Sequence, residues 1–295
     1  MLFPPVPHRT DEPLSAHTSY RIGGSARYFT LPETKEHLWS IGAYLKATGT
    51  PYFLLGNGSN VLAPDEGFPG VVICTKNLTA FMEFEGESVR ASAGTLNARL
   101  LRACAEKGLG GIDALSGVPG NLGGAVYMNA GTAVGWIEEA LFEVEVLHLG
   151  GGERKVAKAE LRYSYREQHY LQPGEMIWAA TLKLKREDPD AIRARLAEAI
   201  KKRKAAQPIE LPSCGSVFRN PEGKNAWKLI ADAGLRGYAR GGARFSEKHC
   251  NFIVNEGGAR KADVLALIEM AREKVRASAG VELQPEVIQM EPKYL

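Results

Sequence analysis

Cysteine is scarce. The 295 residues hold four, Cys74, Cys104, Cys214 and Cys250, far apart, and neither a CxxC pair nor an HExxH motif occurs among them and the six histidines. A disulfide framework and a metal site therefore have no basis, and the thiols read as reduced. No apolar run approaches the ~20 residues of a membrane span. The start, MLFPPVPHRT, lacks the basic-then-apolar pattern of a signal peptide. An excess of one charge is lacking too. Lys and Arg number 37 against 34 Asp and Glu, a net charge of +3, which is too mild to imply nucleic acid. A site for an anionic small molecule needs only a few local charges and stays open. The basic run Lys201-Lys202-Arg203-Lys204 has no interleaved aromatics and reads as a solvated helix end, where cations suit the dipole. The expectation is a cytoplasmic protein without membrane insertion.

What is present is an ordinary globular composition, 44% hydrophobic and 24% charged. At ~150 residues per domain the length suggests two domains. Up to about 75 the chain alternates strand and helix signals: a strand at 26–31, a helix from Glu33 to about Thr48 opened by Pro32 and ended by Gly49, and strands at 52–55 and 71–74. The helix takes Leu38, Ile41, Ala43 and Leu45 as its apolar positions. From 76 to 186 strands dominate, with one helix from about Leu96 to Lys107. Asp188-Pro189-Asp190 caps a helix over 191–206 and marks a domain border. A final helix over 261–279 carries Val264, Leu267, Ile268, Ala271 and Val275 at helical spacing, and 281–290 returns as a strand broken by Pro285. The expected division is 1–190, in two lobes split near 76, and 191–295.

Two loops carry the chemistry. Gly56-Asn57-Gly58-Ser59-Asn60 lies between apolar pieces. Consecutive N–H groups in such a loop form an anion-binding nest, while Asn-Gly also signals a plain hairpin turn. It is neither a dinucleotide fingerprint nor a Walker A loop. The second, 117–131, packs five glycines and one proline into fifteen residues, poor material for a helix or strand core. Side chains are missing where a pyrophosphate and a flat heterocycle would lie close. A crowded backbone crossing is the alternative.

These two loops, LGNGSNVL and GVPGNLGGAVYMNAG, resemble the flavin loops of the UDP-N-acetylenolpyruvoylglucosamine reductases. So do Thr18–Gly24, the GSxFxNP-like run Cys214-Gly215-Ser216-Val217-Phe218-Arg219-Asn220-Pro221, Ala233–Tyr238 and Ser246–Asn255. The resemblance runs from about 15 to 290, in order, and matches the compact subtype. It implies an α+β fold: a two-lobed FAD-binding region of the vanillyl-alcohol-oxidase type, then a smaller substrate-binding domain. It implies FAD, NADPH as hydride donor and UDP-N-acetylglucosamine-enolpyruvate as substrate, reduced to UDP-N-acetylmuramate for peptidoglycan; with no His or Cys in either glycine loop, the FAD is expected to be non-covalent. FAD contacts fall on Gly56, Asn57, Gly58, Ser59, Asn60, Gly117, Pro119, Gly120, Gly123, Gly124, Ala125 and Asn129.

By the same resemblance Arg166 is the arginine of a YRxS motif that grips the substrate carboxylate, Ser216 the proton donor, and Glu286 the group that assists protonation or stabilises the enolate. Hydride addition to the β-carbon leaves charge on the α-carbon and carboxylate, so fixed donors and a nearby proton are what the reaction needs. Gln168 replaces the usual serine of the arginine motif, and Gln284 an acidic residue often found before Pro285. Arg219, Asn220, Lys228, Tyr238 and His249 are candidate substrate contacts, His249 also reading as a core histidine. The rivals are another flavin oxidase or dehydrogenase of the same fold, and a non-catalytic flavin or nucleotide-sugar binder.

Overall fold

The computed structural model describes residues 2–78 and 81–295. The chain opens with a four-stranded sheet in the order His8–Pro13, Ser25–Thr30, Phe68–Cys74, Tyr52–Leu55. The first pair is antiparallel and the other two are parallel. Parallel neighbours need a crossover, and the helix Lys35–Thr48 supplies one. Thr34 caps it, its hydroxyl accepting from the His37 N–H at 3.2 Å, and Gly49 closes it in the left-handed conformation. The start therefore falls two residues after the expected Glu33, because the capping hydroxyl and not Pro32 fixes it. Leu38, Ile41 and Leu45 are buried as expected, but Ala43 is exposed and Gly42 and Tyr44 complete the apolar stripe.

A five-stranded antiparallel sheet follows, in the order Glu153–Ala157, Leu141–His148, Glu175–Lys183, Ser88–Ser92, Met82–Glu85. The glycine-rich stretch at 117–131 contains a short helix, Leu122–Tyr127, against the strands Glu175–Lys183 and Ser88–Ser92. Helix was not expected there. Asn121 makes it possible by capping the Gly124 N–H at 3.2 Å. One core runs from Leu38 and Ile41 through Val71 and Ile73 to Val89, Val144 and Ala180, so it continues across residue 76.

The carboxy-terminal part has a core of its own. The helices Ala226–Asp232 and Lys261–Ala279 accompany a small sheet of Ala239–Arg240, Ala243–Phe245 and Ile253–Asn255. All five apolar residues read from the long helix are buried, and left-handed Gly280 closes it. This core takes residues from 214 to 287 together with Tyr20, Ile22 and Leu62. The helix Pro189–Ala206, capped by Asp188, packs instead on the helix Asn97–Glu106. The expected strand at 281–290 is reduced to Ile288–Gln289, parallel to Val61–Leu62. The backbone before it is engaged elsewhere: Gln284 O accepts from Arg219 N at 2.9 Å, and Glu286 N donates to Val217 O at 2.7 Å.

Gly42 shows how tightly the first helix crosses its neighbour. A Cβ there would overlap the Leu149 carbonyl. Overpacking costs ~1–3 kcal/mol, against a helix preference for alanine of ~1 kcal/mol. Gly42→Ala should therefore lower the urea midpoint without changing the slope. A midpoint at or above the parent value would contradict this crossing.

Candidate active site

The two glycine loops meet. Ser59 Oγ donates to Pro119 O at 3.3 Å. A Cβ on Gly56 would lie 2.8 Å from Asn121 Oδ1, and one on Gly120, at φ +118°, 3.1 Å from Ser59 Oγ. Among the described residues, the N–H groups of Asn57, Gly58, Ser59 and Asn60 have no protein acceptor. The first loop is not a hairpin turn, since its flanking strands pair with different partners. A cradle of close-lying backbone with uncommitted N–H groups fits a diphosphate-bearing cofactor such as FAD.

Not every glycine faces that cradle. Gly123 N donates to Ala93 O at 2.9 Å, and a Cβ there would lie 2.7 Å from Ala93 Cβ. Ala125 is buried in the main core. At these two positions the crowded-crossing reading holds for the side-chain face, because helix and sheet touch there. Gly124 is exposed and a Cβ on it would meet only Asn121 Oδ1, at 3.1 Å. The N–H groups of Leu122, Gly123 and Gly124 are all taken by protein acceptors, whereas those of Gly117, Gly120 and Asn121 have none among the described residues, so both loops offer free donors.

Arg166 turns the hairpin between Tyr163–Ser164 and Glu167–Gln168. Its φ is +61°, in the left-handed region that non-glycine residues rarely occupy. Asn129, at φ +43°, is a second such residue, and the two touch: Arg166 Nη1 donates to Asn129 O at 3.3 Å and Nη2 to Gly131 O at 3.0 Å. Trp136 and Tyr165 flank the guanidinium, 5.0 and 5.6 Å from their ring centres, within cation–π range. Backbone strain of ~1–3 kcal/mol persists only where the surroundings over-determine it. Gln168 supplies part of that support, its Oε1 accepting from the N–H groups of Tyr170 and Leu171 at 3.0 and 2.8 Å. The departure from serine is thus occupied by a turn-forming amide.

Glu286 comes to this arginine from 120 residues away. Arg166 Nε lies 3.0 Å from Glu286 Oε1, yet Nε makes no hydrogen bond of good geometry. It is an ion pair whose directional donors point elsewhere. Burial pushes the Glu286 carboxyl above the usual carboxylate range, and the attraction of Arg166 and Arg219 only partly offsets it. Ser216 sits beside it: the Glu286 N–H is bonded to the carbonyl of Val217, and Phe218 pairs with Pro285. The half-buried Ser216 hydroxyl has no protein partner among the described residues. Gln284 is exposed, and no contact joins its side chain to Glu286 among the described residues.

Buried Asn251, unremarked in sequence, fixes this segment. Its Oδ1 accepts from Phe218 N at 2.9 Å, its Nδ2 donates to Phe218 O at 2.8 Å, and its carbonyl accepts from Val217 N at 2.8 Å. The signal was a polar residue heading the apolar run Phe252-Ile253-Val254.

Of the substrate candidates, Arg219 joins the cluster. Nη1 donates to Tyr165 O at 3.3 Å, and its charge acts on Glu286. Asn220 caps a helix, its Oδ1 accepting from Ala226 N at 3.0 Å. Lys228 and Tyr238 are exposed, and no recorded contact joins them to the Arg166–Glu286 pair among the described residues. His249 packs on Phe252 and Trp227 with Nδ1 unpartnered, and burial pushes its pKa below the usual imidazole value. All four cysteines are free and buried, with Cys104 and Cys214 pushed up to about 12, so they are poor nucleophiles.

Residues 26–157 match the FAD binding domain model, and 207–290 match the model of the UDP-N-acetylenolpyruvoylglucosamine reductase C-terminal domain. The protein is an FAD-dependent oxidoreductase with a two-lobed flavin-binding region and a smaller α+β domain. A reductase from Geobacter metallireducens named UDP-N-acetylenolpyruvoylglucosamine reductase is 42% identical, the match covering 94% of this chain and 92% of the relative. One from Moorella thermoacetica is 40% identical over 94% and 91%. The crystal structure of the Thermus caldophilus enzyme superposes with a TM-score of 0.82 at 37% identity, over 97% of this chain and 99% of that one. The chain belongs to the UDP-N-acetylenolpyruvoylglucosamine reductase family.

The raised Glu286 pKa links to stability. A group whose folded pKa lies above its unfolded value contributes most below the unfolded value, ~4.3 for Glu, and that contribution is lost as pH rises through the folded value. Relative to Glu286→Gln, the parent protein should therefore lose stability as pH rises from below ~4.3. Urea titrations at several pH values measure this difference. A gap that stays constant, or moves the other way, would show that burial does not raise the carboxyl's pKa.

Proposed function

We propose that Arg166, Ser216 and Glu286 carry the reaction of this family: reduction of the enolpyruvyl ether of UDP-N-acetylglucosamine to UDP-N-acetylmuramate, with FAD as cofactor and NADPH as reductant. The supporting observation is the convergence of three residues distant in sequence, Glu286 ion-paired to Arg166 and strapped by its N–H beside Ser216. FAD supplies the two-electron redox chemistry that no side chain offers. The cradle at Gly56, Asn57, Gly58, Ser59, Asn60, Gly117, Pro119 and Gly120, with Gly124 and Asn129 beyond it, holds it without a covalent bond. Gly123 and Ala125 contribute by setting helix against sheet.

Arg166 presents a permanently charged planar fork to the substrate carboxylate. Its pairing with Glu286 and two carbonyls preorganises it, so little rearrangement is needed as charge develops there. Ser216 holds a proton facing the α-carbon. A hydroxyl is a weak acid and protonates only a strongly basic centre, which an α-carbanion or enolate is. Glu286, biased toward its neutral form, offers a hydrogen bond to that charge rather than repelling it. Arg219 completes the positive surroundings. Asn220, Lys228, Tyr238 and His249 remain proposed contacts to the rest of the nucleotide sugar. We place the substrate-binding unit after the helix Pro189–Ala206 and the protein in the cytoplasm, where a soluble nucleotide sugar and NADPH meet. No helix of the described residues is long and apolar enough to cross a membrane.

The two half-reactions separate these roles. Ser216→Ala should leave flavin reduction by NADPH nearly intact in stopped-flow absorbance, because that step transfers no proton to carbon. Reoxidation by the enolpyruvyl sugar should slow by at least the ~10²–10⁴ typical of a lost general acid. Equal slowing of both halves would place Ser216 in the cofactor site instead.

The two variants of Glu286 test its protonation state. Glu286→Gln keeps a hydrogen-bond donor and should retain more reoxidation activity than Glu286→Ala, with the high-pH decline of the parent flattened. Equally poor variants with an unchanged pH limb would mean the group works as a carboxylate.

A further inference from the structure

The Ser216 hydroxyl has no protein partner among the described residues, and the residue before it gives no support. Gly215 is left-handed at φ +83°, and a Cβ on it would meet nothing within 4 Å. The place of Ser216 is therefore set by the backbone on either side. Downstream, Asn251 fixes Val217 and Phe218. Upstream, the anchor comes from residues 17–22, far back in the chain.

Ser19 is the link. Its hydroxyl donates to Ser213 O at 2.6 Å, with Gly58 O a weaker second acceptor at 3.3 Å. Its N–H donates to Gly58 O at 3.0 Å. One residue thus holds the first glycine loop by its backbone and the serine segment by its side chain. The fit around it is close. A Cβ on Gly58 would overlap the His17 carbonyl and lie 2.9 Å from Thr18 Cα. Tyr20 is fully buried beside Cys214; burial pushes its phenol up and Cys214 adds to the shift. Asn255 Nδ2 donates to Tyr20 O at 2.9 Å, and Thr18 Oγ1 to Ile22 O at 3.2 Å. Arg21 is left-handed at φ +55°, a conformation that a non-glycine residue keeps only where its surroundings fix it.

We propose that Ser19 is a positioning residue for the protonation step, spacing the backbone that carries Ser216 from the first glycine loop. This rests on the reading of that loop as the flavin cradle and of Ser216 as the proton donor. Hydride and proton go to adjacent carbons of one enolpyruvyl group, so their two donors must keep a fixed separation. A misplacement of ~1 Å can cost ~10²-fold in rate. Without the Ser19 hydroxyl, the segment 213–216 loses its tie to the loop, and the freedom of Gly215 is unopposed.

The experiment uses the holoenzyme and the variants Ser19→Ala, Ser19→Thr and Ser216→Ala, alone and with Ser19→Ala. Ser40→Ala, which removes a hydroxyl bonded only within its own helix, is the control. Ser19 is exposed, so its loss leaves Ser213 O to water and the fold stands. Stopped-flow single turnovers follow flavin reduction by NADPH and reoxidation by the enolpyruvyl sugar, in H2O and D2O. Ser19→Ala should leave reduction within about twofold of the parent and slow reoxidation by about ten- to hundredfold. The solvent isotope effect on reoxidation should rise, because proton transfer then limits it. Ser19→Thr keeps the hydroxyl and should restore the parent rate. In the Ser216→Ala background the Ser19 change should cost almost nothing, because it acts through that serine. Parent-like reoxidation in Ser19→Ala, equal slowing of both halves, a loss matched by Ser40→Ala, or additive losses in the double variant would overturn the proposal. Parent-like reoxidation in Ser216→Ala would instead overturn the proton-donor reading on which it rests.

Discussion

The site depends on one strap. Asn60, the last residue of the first glycine loop, donates through Nδ2 to the Glu286 carbonyl at 3.1 Å and accepts from Ile288 N at 3.1 Å. Glu286 N in turn donates to Val217 O, and Asn251 holds the backbone on both sides of that carbonyl. The first glycine loop, the Glu286 segment and the Ser216–Phe218 segment thus share one ladder of amide bonds, although they come from residues near 60, 217, 251 and 286. Each bond is worth only about 1 kcal/mol net. Their joint effect is geometric: the glutamate cannot shift without dragging the loop or the serine.

The strap explains why the carboxy-terminal core borrows Tyr20, Ile22 and Leu62. A carboxy-terminal domain on a free linker would rotate against the rest of the chain and lose register with the first glycine loop. Here Val61–Leu62 pairs with Ile288–Gln289, Asn255 Nδ2 donates to Tyr20 O at 2.9 Å, and Lys293 and Tyr52 exchange backbone bonds. The chain's end returns to its first sheet. Apolar burial across that contact is non-directional, so the polar bonds set the register.

Much of this was legible. The helix at 261–279 showed itself by spacing alone, and both glycine loops by composition. What escaped the sequence was whatever depended on a partner far along the chain. Residues 281–290 read as a strand because alternation says nothing of which backbone will take the N–H groups, and those of Arg219 and Glu286 bind across to each other's segments. The basic run read as solvated because a helix-dipole argument treats its four cations alike, whereas the helical turn aims only Arg203 at Gly117. Gly123 and Gly124 look equivalent in sequence, yet one meets Ala93 and the other lies open. Composition marks where side chains are absent. Only packing tells whether a ligand or a neighbouring strand takes the space.

Charge in the cleft is deliberately unbalanced. Arg166 and Arg219 act on Glu286, whose carboxyl burial pushes above the usual carboxylate range, and Arg203 lies close enough to Arg166 for the two charges to repel. In isolation this is unfavourable, since like charges in a poorly solvated cleft repel. It becomes favourable when anions enter, because fixed cations then need no reorganisation to meet charge that is present or developing. The left-handed turn at Arg166 and its rings, Trp136 and Tyr165, keep that guanidinium from relaxing outward into water. Strain at the hairpin and excess positive charge therefore have one origin. Both hold the guanidinium where an entering anion would need little rearrangement to meet it.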